Sequence, residues 1–197
     1  DNMIIFGKRH EFDSNYTVGF SELGIIEALK IDIASNAGIS TDLSQAINLR
    51  CLLSLDNCYF LEHLLIKNYI CKTNISTATA FRGFGGPQGV LIIENIIDDI
   101  ARFLKIDPAV IRKRNFYQIK GRKNKTPYGQ KLEDVNVIHD IYDKLLQSSH
   151  YKTRKNNIIK FNSKNKYVKR GISFNFSKFN IAFTTKFLNQ AGALVNI

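Results

Sequence analysis

Phe81-Arg82-Gly83-Phe84-Gly85-Gly86-Pro87-Gln88 is the stretch on which the reading of this sequence turns. Three glycines within four positions let the backbone take φ > 0 and come close to a ligand, and Pro87 suits the first turn of a helix. Downstream, from Gln88 to Leu104, apolar residues at 90, 93, 97, 100 and 104 predict a helix with one buried face. A glycine turn feeding a helix N-terminus offers free N–H groups and the positive end of the helix dipole, which together suit an oxygen-rich anion. Arg82 adds a fixed cation and Phe81 and Phe84 a flat apolar wall, a setting for an oxyanion or metal-oxo group beside an aromatic ligand.

Three generic readings of this loop fail. Arg82-Gly83-Phe84-Gly85 fits the opening of an RNA-recognition signature, but Pro87 cannot serve the central strand that must follow. A dinucleotide fingerprint needs a glycine where Gln88 stands and a strand before the loop, and a phosphate-binding P-loop needs Gly-Lys-Ser/Thr.

Working outward, Leu29, Ile31 and Ile33 alternate with polar or small residues as in a strand with one buried face. Tyr16 to Phe20, before a Glu22-Leu23-Gly24 turn, is its hairpin partner. Thr41 reads as an N-cap, and Leu43, Ile47, Cys51 and Leu55 at four-residue steps predict a helix over 42–54 with Arg50 one position before the apolar stripe. Residues 56–79 read as irregular. Asp107-Pro108 opens a short helix to about Arg114, residues 120–134 form a polar connection, and 134–147 are helical with Val137, Ile141 and Leu145 in register. The Lys/Asn-rich 151–169 reads as a solvated helix or loop. From Arg170, Ile172, Phe174 and Phe176 and then Ile181, Phe183 and Phe187 alternate as in strands.

With 197 residues, 44% of them hydrophobic, the chain can build a core, and no apolar run is long enough for a membrane helix. The net charge of +11 is regional. All 17 acidic residues precede position 144, where they balance 17 basic ones, and the remaining 11 basic residues follow without an acid. Nineteen Asn beside abundant Lys and Ile point to a compositional bias that inflates this charge. Cys51, Cys58 and Cys71, odd in number and not at metal-ligand spacing, fit a reduced, intracellular setting. Asp1 is not an initiator Met and Ala191 to Ile197 is apolar to its end, which reads as a piece excised from a longer chain.

The Phe81–Gln88 loop, with Cys71-Lys-Thr-Asn74 before it, resembles the molybdenum-site loop of xanthine dehydrogenases. Asp42-Leu-Ser-Gln45, Asp56-Asn-Cys-Tyr59, Lys169-Arg-Gly171 and Phe187-Leu-Asn-Gln-Ala-Gly-Ala193 are similar to stretches found in the same order in that family. The resemblance implies an α+β fold, mixed sheets with packed helices, forming part of a larger molybdopterin-binding domain. It divides the chain into the C-terminal part of one subdomain (1–119), a connection (120–134) and the start of a second subdomain (135–197). It implies purine hydroxylation, hypoxanthine and xanthine to urate, at a molybdenum–molybdopterin centre. Electrons would pass through 2Fe-2S clusters and FAD to NAD in a homodimeric enzyme of the cytoplasm or peroxisome.

Residue by residue, the resemblance puts Arg50 at the family's substrate arginine, which meets negative charge developing on the purine. Arg82 falls at the molybdenum–pterin contact, with Phe81 and Gly83 beside it as cofactor-binding positions. Phe84 and Phe183 match two phenylalanines that sandwich the purine, and Thr184 a substrate-contacting threonine. The family's general-base glutamate falls outside these 197 residues, so the chain alone is expected to be inactive, and purine turnover by it would refute this. Asn180 stands where the family usually has glycine, and 60–70 departs from the family pattern. Three other readings stay open, one of them a non-catalytic relic of such an enzyme. An aldehyde oxidase shares the fold but generally lacks the arginine at position 50. A basic nucleic-acid-binding module would use residues 144–186, although Phe174, Phe176, Phe183 and Phe187 at strand spacing favour the core and no nucleic-acid partner.

Overall fold

The computed structural model describes residues 5–118, 123–179, 183–184 and 189–196. The chain runs β1 (Phe12–Phe20), β2 (Ile26–Gly38), α1 (Ser44–Ser54), β3 (His63–Lys72), α2 (Gly86–Leu104), α3 (Pro108–Asn115), α4 (Asn136–Ser148) and α5 (Tyr151–Lys164). β2 is central, with β1 antiparallel on one side and β3 parallel on the other, so the sheet is mixed. The Glu22-Leu23-Gly24 turn joins β1 to β2. It is made by Gly24 at φ 76° and closed by the Gly24 N–H donating to the Ser21 carbonyl at 2.8 Å. Leu29, Ile31 and Ile33 are buried, as their alternation requires. The parallel partner cannot be reached by a tight turn, and α1 makes the crossover.

Four expectations need correction. Residues 56–79 are not irregular throughout, because β3 occupies His63–Lys72. Its period-2 face, Leu64, Ile66, Asn68 and Ile70, is half-buried, while Leu65 and Tyr69 on the opposite face are exposed and mask the alternation. Thr41 does not cap α1. Its carbonyl, not its hydroxyl, accepts from the Ser44 N–H at 2.8 Å, and Asp42 sits at φ 40°, so the helix starts at Ser44. The β pattern after Arg170 yields no strand among the described residues. Phe174 and Phe176 are buried nonetheless, in an aromatic cluster with Phe116 and Tyr142 at centroid distances of 5.2–5.9 Å, edge-to-face except for the stacked Tyr142–Phe176 pair. Ile181 and Phe187 lie outside the described residues. Finally, Val137, Ile141 and Leu145 are exposed; α4 turns Ile138, Tyr142 and Leu146 inward instead.

The core is built around α2. Ile93, Ile96, Ile97 and Ile100 are fully buried and pack with β2 and α1. Glycine lets α1 and α2 approach backbone to backbone. A Cβ on Gly85 would stand 2.1 Å from the Ile47 carbonyl oxygen, and one on Gly89 would stand 2.3 Å from that of Cys51. Asp107 caps α3 by accepting from the Ala109 N–H at 2.8 Å. Cys51 and Cys58 are buried, which pushes both thiols up to about 12, while Cys71 is exposed on β3.

A polar seam ties the C-terminal segment to this core. Glu94 of α2 accepts from Tyr59 Oη at 2.5 Å, from Arg112 Nε at 2.7 Å and from Asn57 Nδ2 at 2.9 Å, and Arg112 also pairs with Asp98 at 2.9 Å. Asp56, buried, accepts from Tyr117 Oη at 2.5 Å and pairs with Lys178. Desolvation wins over the lysine's attraction and holds the Asp56 carboxyl above its ordinary value.

Candidate active site

Residues 82–85 form a turn, with Gly83 at φ 91°, Phe84 at φ 50° and Gly85 at φ 94° leading into α2. A left-handed Phe84 is uncommon for a bulky side chain and is a candidate for stored strain at a working position. The turn is closed by Phe84 N–H to Phe81 carbonyl at 2.8 Å and Gly86 N–H to Gly83 carbonyl at 2.9 Å. This corrects the expectation of a ready anion hole. Of the first four residues of α2, Gly86 and Gly89 already donate internally and Pro87 has no N–H, which leaves at most Gln88.

The turn aims Phe84 at a residue 99 positions later. The Phe84 and Phe183 rings lie 5.4 Å apart, tilted by 47°, and Thr184 beside Phe183 donates through Oγ1 to the Ala46 carbonyl of α1 at 3.0 Å. Arg50 lies one helical turn beyond Ala46, hence on the same side of α1, and is only 6% exposed. On sequence alone it passes for a solvated helix arginine, and the structure buries it. Arg50, Phe84, Phe183 and Thr184 are thus carried by elements in direct contact, with Gly85 against Ile47 locking the turn onto α1.

Phe81 and Arg82 do not join that group through their side chains, which are exposed. They meet Arg9, whose Nη2 donates to the Arg82 carbonyl at 2.8 Å and whose guanidinium lies 4.4 Å from the Phe81 ring centroid. Next to Arg9, His10 shares a 2.7 Å hydrogen bond with Ser44 Oγ, and its carbonyl accepts from Gln88 Nε2 at 3.3 Å. Burial lowers the His10 pKa. Arg9 Nη1, His10 Nδ1 and Gln88 Oε1 are buried polar atoms without a protein partner, gathered around the glycine turn. Such atoms cost free energy unless something pairs with them. Two nitrogens and one amide oxygen suit a heterocycle bearing both donors and acceptors. Among the described residues no group of three His, Cys, Asp or Glu could ligate a metal directly. Sequence reasoning missed Arg9 and His10, since a lone dipeptide at the start of a strand pattern carries no periodic or motif signal.

Arg82-Gly83-Phe84-Gly85 is a turn rather than a strand, and Phe174 and Phe176 are packed in the core. No described helix is long and apolar enough to cross a membrane.

The model of the family described as "Molybdopterin cofactor-binding domain" matches residues 1–116. The chain belongs to that family. Curated relatives include the xanthine dehydrogenase/oxidases of Gallus gallus, 45% identical, and Felis catus, 43% identical, each over the whole chain. The chain spans 14% of the length of these relatives. Among solved structures, an aldehyde oxidoreductase from Desulfovibrio desulfuricans superposes on 80% of the chain and 17% of its own, with a TM-score of 0.70 and 24% identity. That likeness shows the fold: helices packed on a mixed sheet, as in molybdopterin-binding domains.

Proposed function

We propose that this chain supplies the substrate side of the molybdenum centre in a xanthine dehydrogenase-type enzyme that hydroxylates purines. The observation that carries the reading is the meeting of Phe84 and Phe183, 99 positions apart in the sequence, beside the helix that bears a buried Arg50. The 40–45% identity to xanthine dehydrogenases supports it. In touch at 5.4 Å, the two rings leave no slot between them. A flat heterocycle held between two rings needs centroids about 7 Å apart, two contact distances of ~3.5 Å, so the substrate enters by parting them or packs on the face of one and the edge of the other. Either mode aligns the ring and excludes water.

Within such a site Arg50 presents a fixed cation to the negative charge that grows on the purine as a ring carbon is attacked. In a dry, preorganised setting that contact stabilises the transition state more than the ground state. Thr184, held by the Ala46 carbonyl, sets the position of the chain beside Phe183. Arg9, His10, Gln88 and the Phe81-Arg82-Gly83 backbone would hold the pterin, and the molybdenum–molybdopterin group, when bound, supplies the oxygen-transfer and two-electron chemistry. The 2Fe-2S clusters, FAD, NAD, a homodimeric assembly and a cytoplasmic or peroxisomal location belong to the same reading of the whole enzyme. So does the division into two subdomains around 120–134, which the end of the family match at residue 116 supports.

The test uses the full-length protein. Arg50→Met is expected to cut purine oxidation at least a hundredfold, roughly the 2.7 kcal/mol or more that one oriented transition-state contact supplies, while sparing small aldehydes, which build no ring charge. Equal losses on both substrates would overturn the purine assignment in favour of an aldehyde oxidase.

A further inference from the structure

Asn57 sits where no catalytic role reaches it, yet every donor and acceptor of its side chain is used. It is fully buried and holds a left-handed backbone at φ 43°, a conformation asparagine tolerates better than most residues. Its Nδ2 donates to the Phe176 carbonyl at 2.9 Å and to Glu94 Oε1 at 2.9 Å. Its Oδ1 accepts from the Lys178 N–H at 2.9 Å and lies 3.6 Å from Cys58 Sγ. Both donors and both acceptor directions are thereby spent. The amide can face only one way, because a flip would set its NH2 against the Lys178 N–H.

Two of these bonds clamp residues 176 and 178, so the chain five residues before Phe183 is fixed to the end of α1 and to α2. Asp56, the preceding residue, pairs with the Lys178 side chain, and Glu94 is in turn oriented by Arg112 at 2.7 Å. Phe179 follows at once, with an edge carbon 3.6 Å from where a Cβ on Gly86 would stand. At the far end Thr184 is tied to Ala46. Residues 176–178 are thus bonded to the turn that follows α1, and Thr184, next to Phe183, is bonded to α1 itself, the helix that carries Arg50. We infer that Asn57 is a positioning residue for substrate, setting through residues 176–178 where the Phe183 ring stands against Phe84. This inference rests on the proposed purine site.

The experiment is a double-mutant cycle in the full-length holoenzyme. Asn57→Gly removes the clamp while keeping the backbone conformation accessible, and Phe183→Ala removes the ring it is inferred to place. Asn57→Gly is expected to raise KM for a purine about tenfold and to leave KM for a small aldehyde within twofold. In the Phe183→Ala background it should add less than a twofold further change, because the two act on one contact. A fully additive effect, or equal changes for purine and aldehyde, means a general structural role and overturns the inference. Phe183→Ala with an unchanged purine KM overturns the ring-pair site itself, and the inference with it, a result separable from failure of Asn57 alone. If Asn57→Gly yields no folded protein, Lys178→Met decides. Loss of the second tie on the same segment should raise the purine KM about threefold, and an unchanged KM overturns the proposal.

Discussion

The sheet with α1 to α3 and the region beyond residue 123 are held in different ways. The first is an isoleucine interior in which two helices touch through glycine and almost no side chain can grow. The second presents one apolar stripe to the outside, packs a handful of aromatic rings against Phe116, and is further fastened to the first by directed bonds to Asp56, Asn57 and Asp107. Apolar packing is cooperative and indifferent to direction, so it makes a rigid platform. Directed bonds between distant segments fix a position without much bulk, which is what a segment bearing a substrate-facing ring requires.

The contrast can be broken most directly at the glycine contact. Gly85→Ala places a methyl 2.1 Å from the Ile47 carbonyl oxygen on a backbone at φ 94°. Overpacking and left-handed strain together should cost about 3–5 kcal/mol, read as a lowered urea midpoint. A loss below about 1 kcal/mol would mean that the two helices are not locked as described.

A smaller effect sharpens the seam. Because the folded protein holds a proton on Asp56 more tightly than the unfolded chain does, this group makes stability fall as pH rises from near 4 through its raised folded pKa. Asp56→Asn should flatten that part of the stability–pH curve, measured by urea unfolding across pH 4 to 7, and an unaltered slope would place the titration elsewhere.

The least effect is expected on the exposed stripe of α4. Ile141→Ser should change the stability of the chain by no more than about 0.5 kcal/mol, with hydrogen exchange in Ile96 and its neighbours unchanged. A loss of 2 kcal/mol or more would show this face to be packed.

The same contrast explains what the sequence made legible. β2 and α2 are readable because Leu29, Ile31, Ile33 and the α2 isoleucines repeat at the period of the element and all face one interior. β3 hides because Leu65 and Tyr69 are large and apolar on its outer face. The stretch from Ile172 to Phe176 has the alternation of a strand without a partner to pair with; its phenylalanines are buried by ring contacts instead. At the site, Arg82 and Phe84 announce themselves through the glycine turn, and Arg50, Phe183 and Thr184 came from ordered family blocks. Arg9, His10 and the role of Asn57 depend on contacts spanning 34 to 121 positions, and no local pattern encodes them.

The cysteines carry a practical corollary. Cys51 and Cys58 are sealed in the interior with thiols that stay protonated at neutral pH, so alkylating reagents should pass them by. Cys71, opposite Asn36 on the outer edge of the sheet, is then the single handle of the three for a maleimide dye or spin label. A reporter attached there would sit on the rigid platform, offering a fixed reference from which movement of the fastened segment could be ranged.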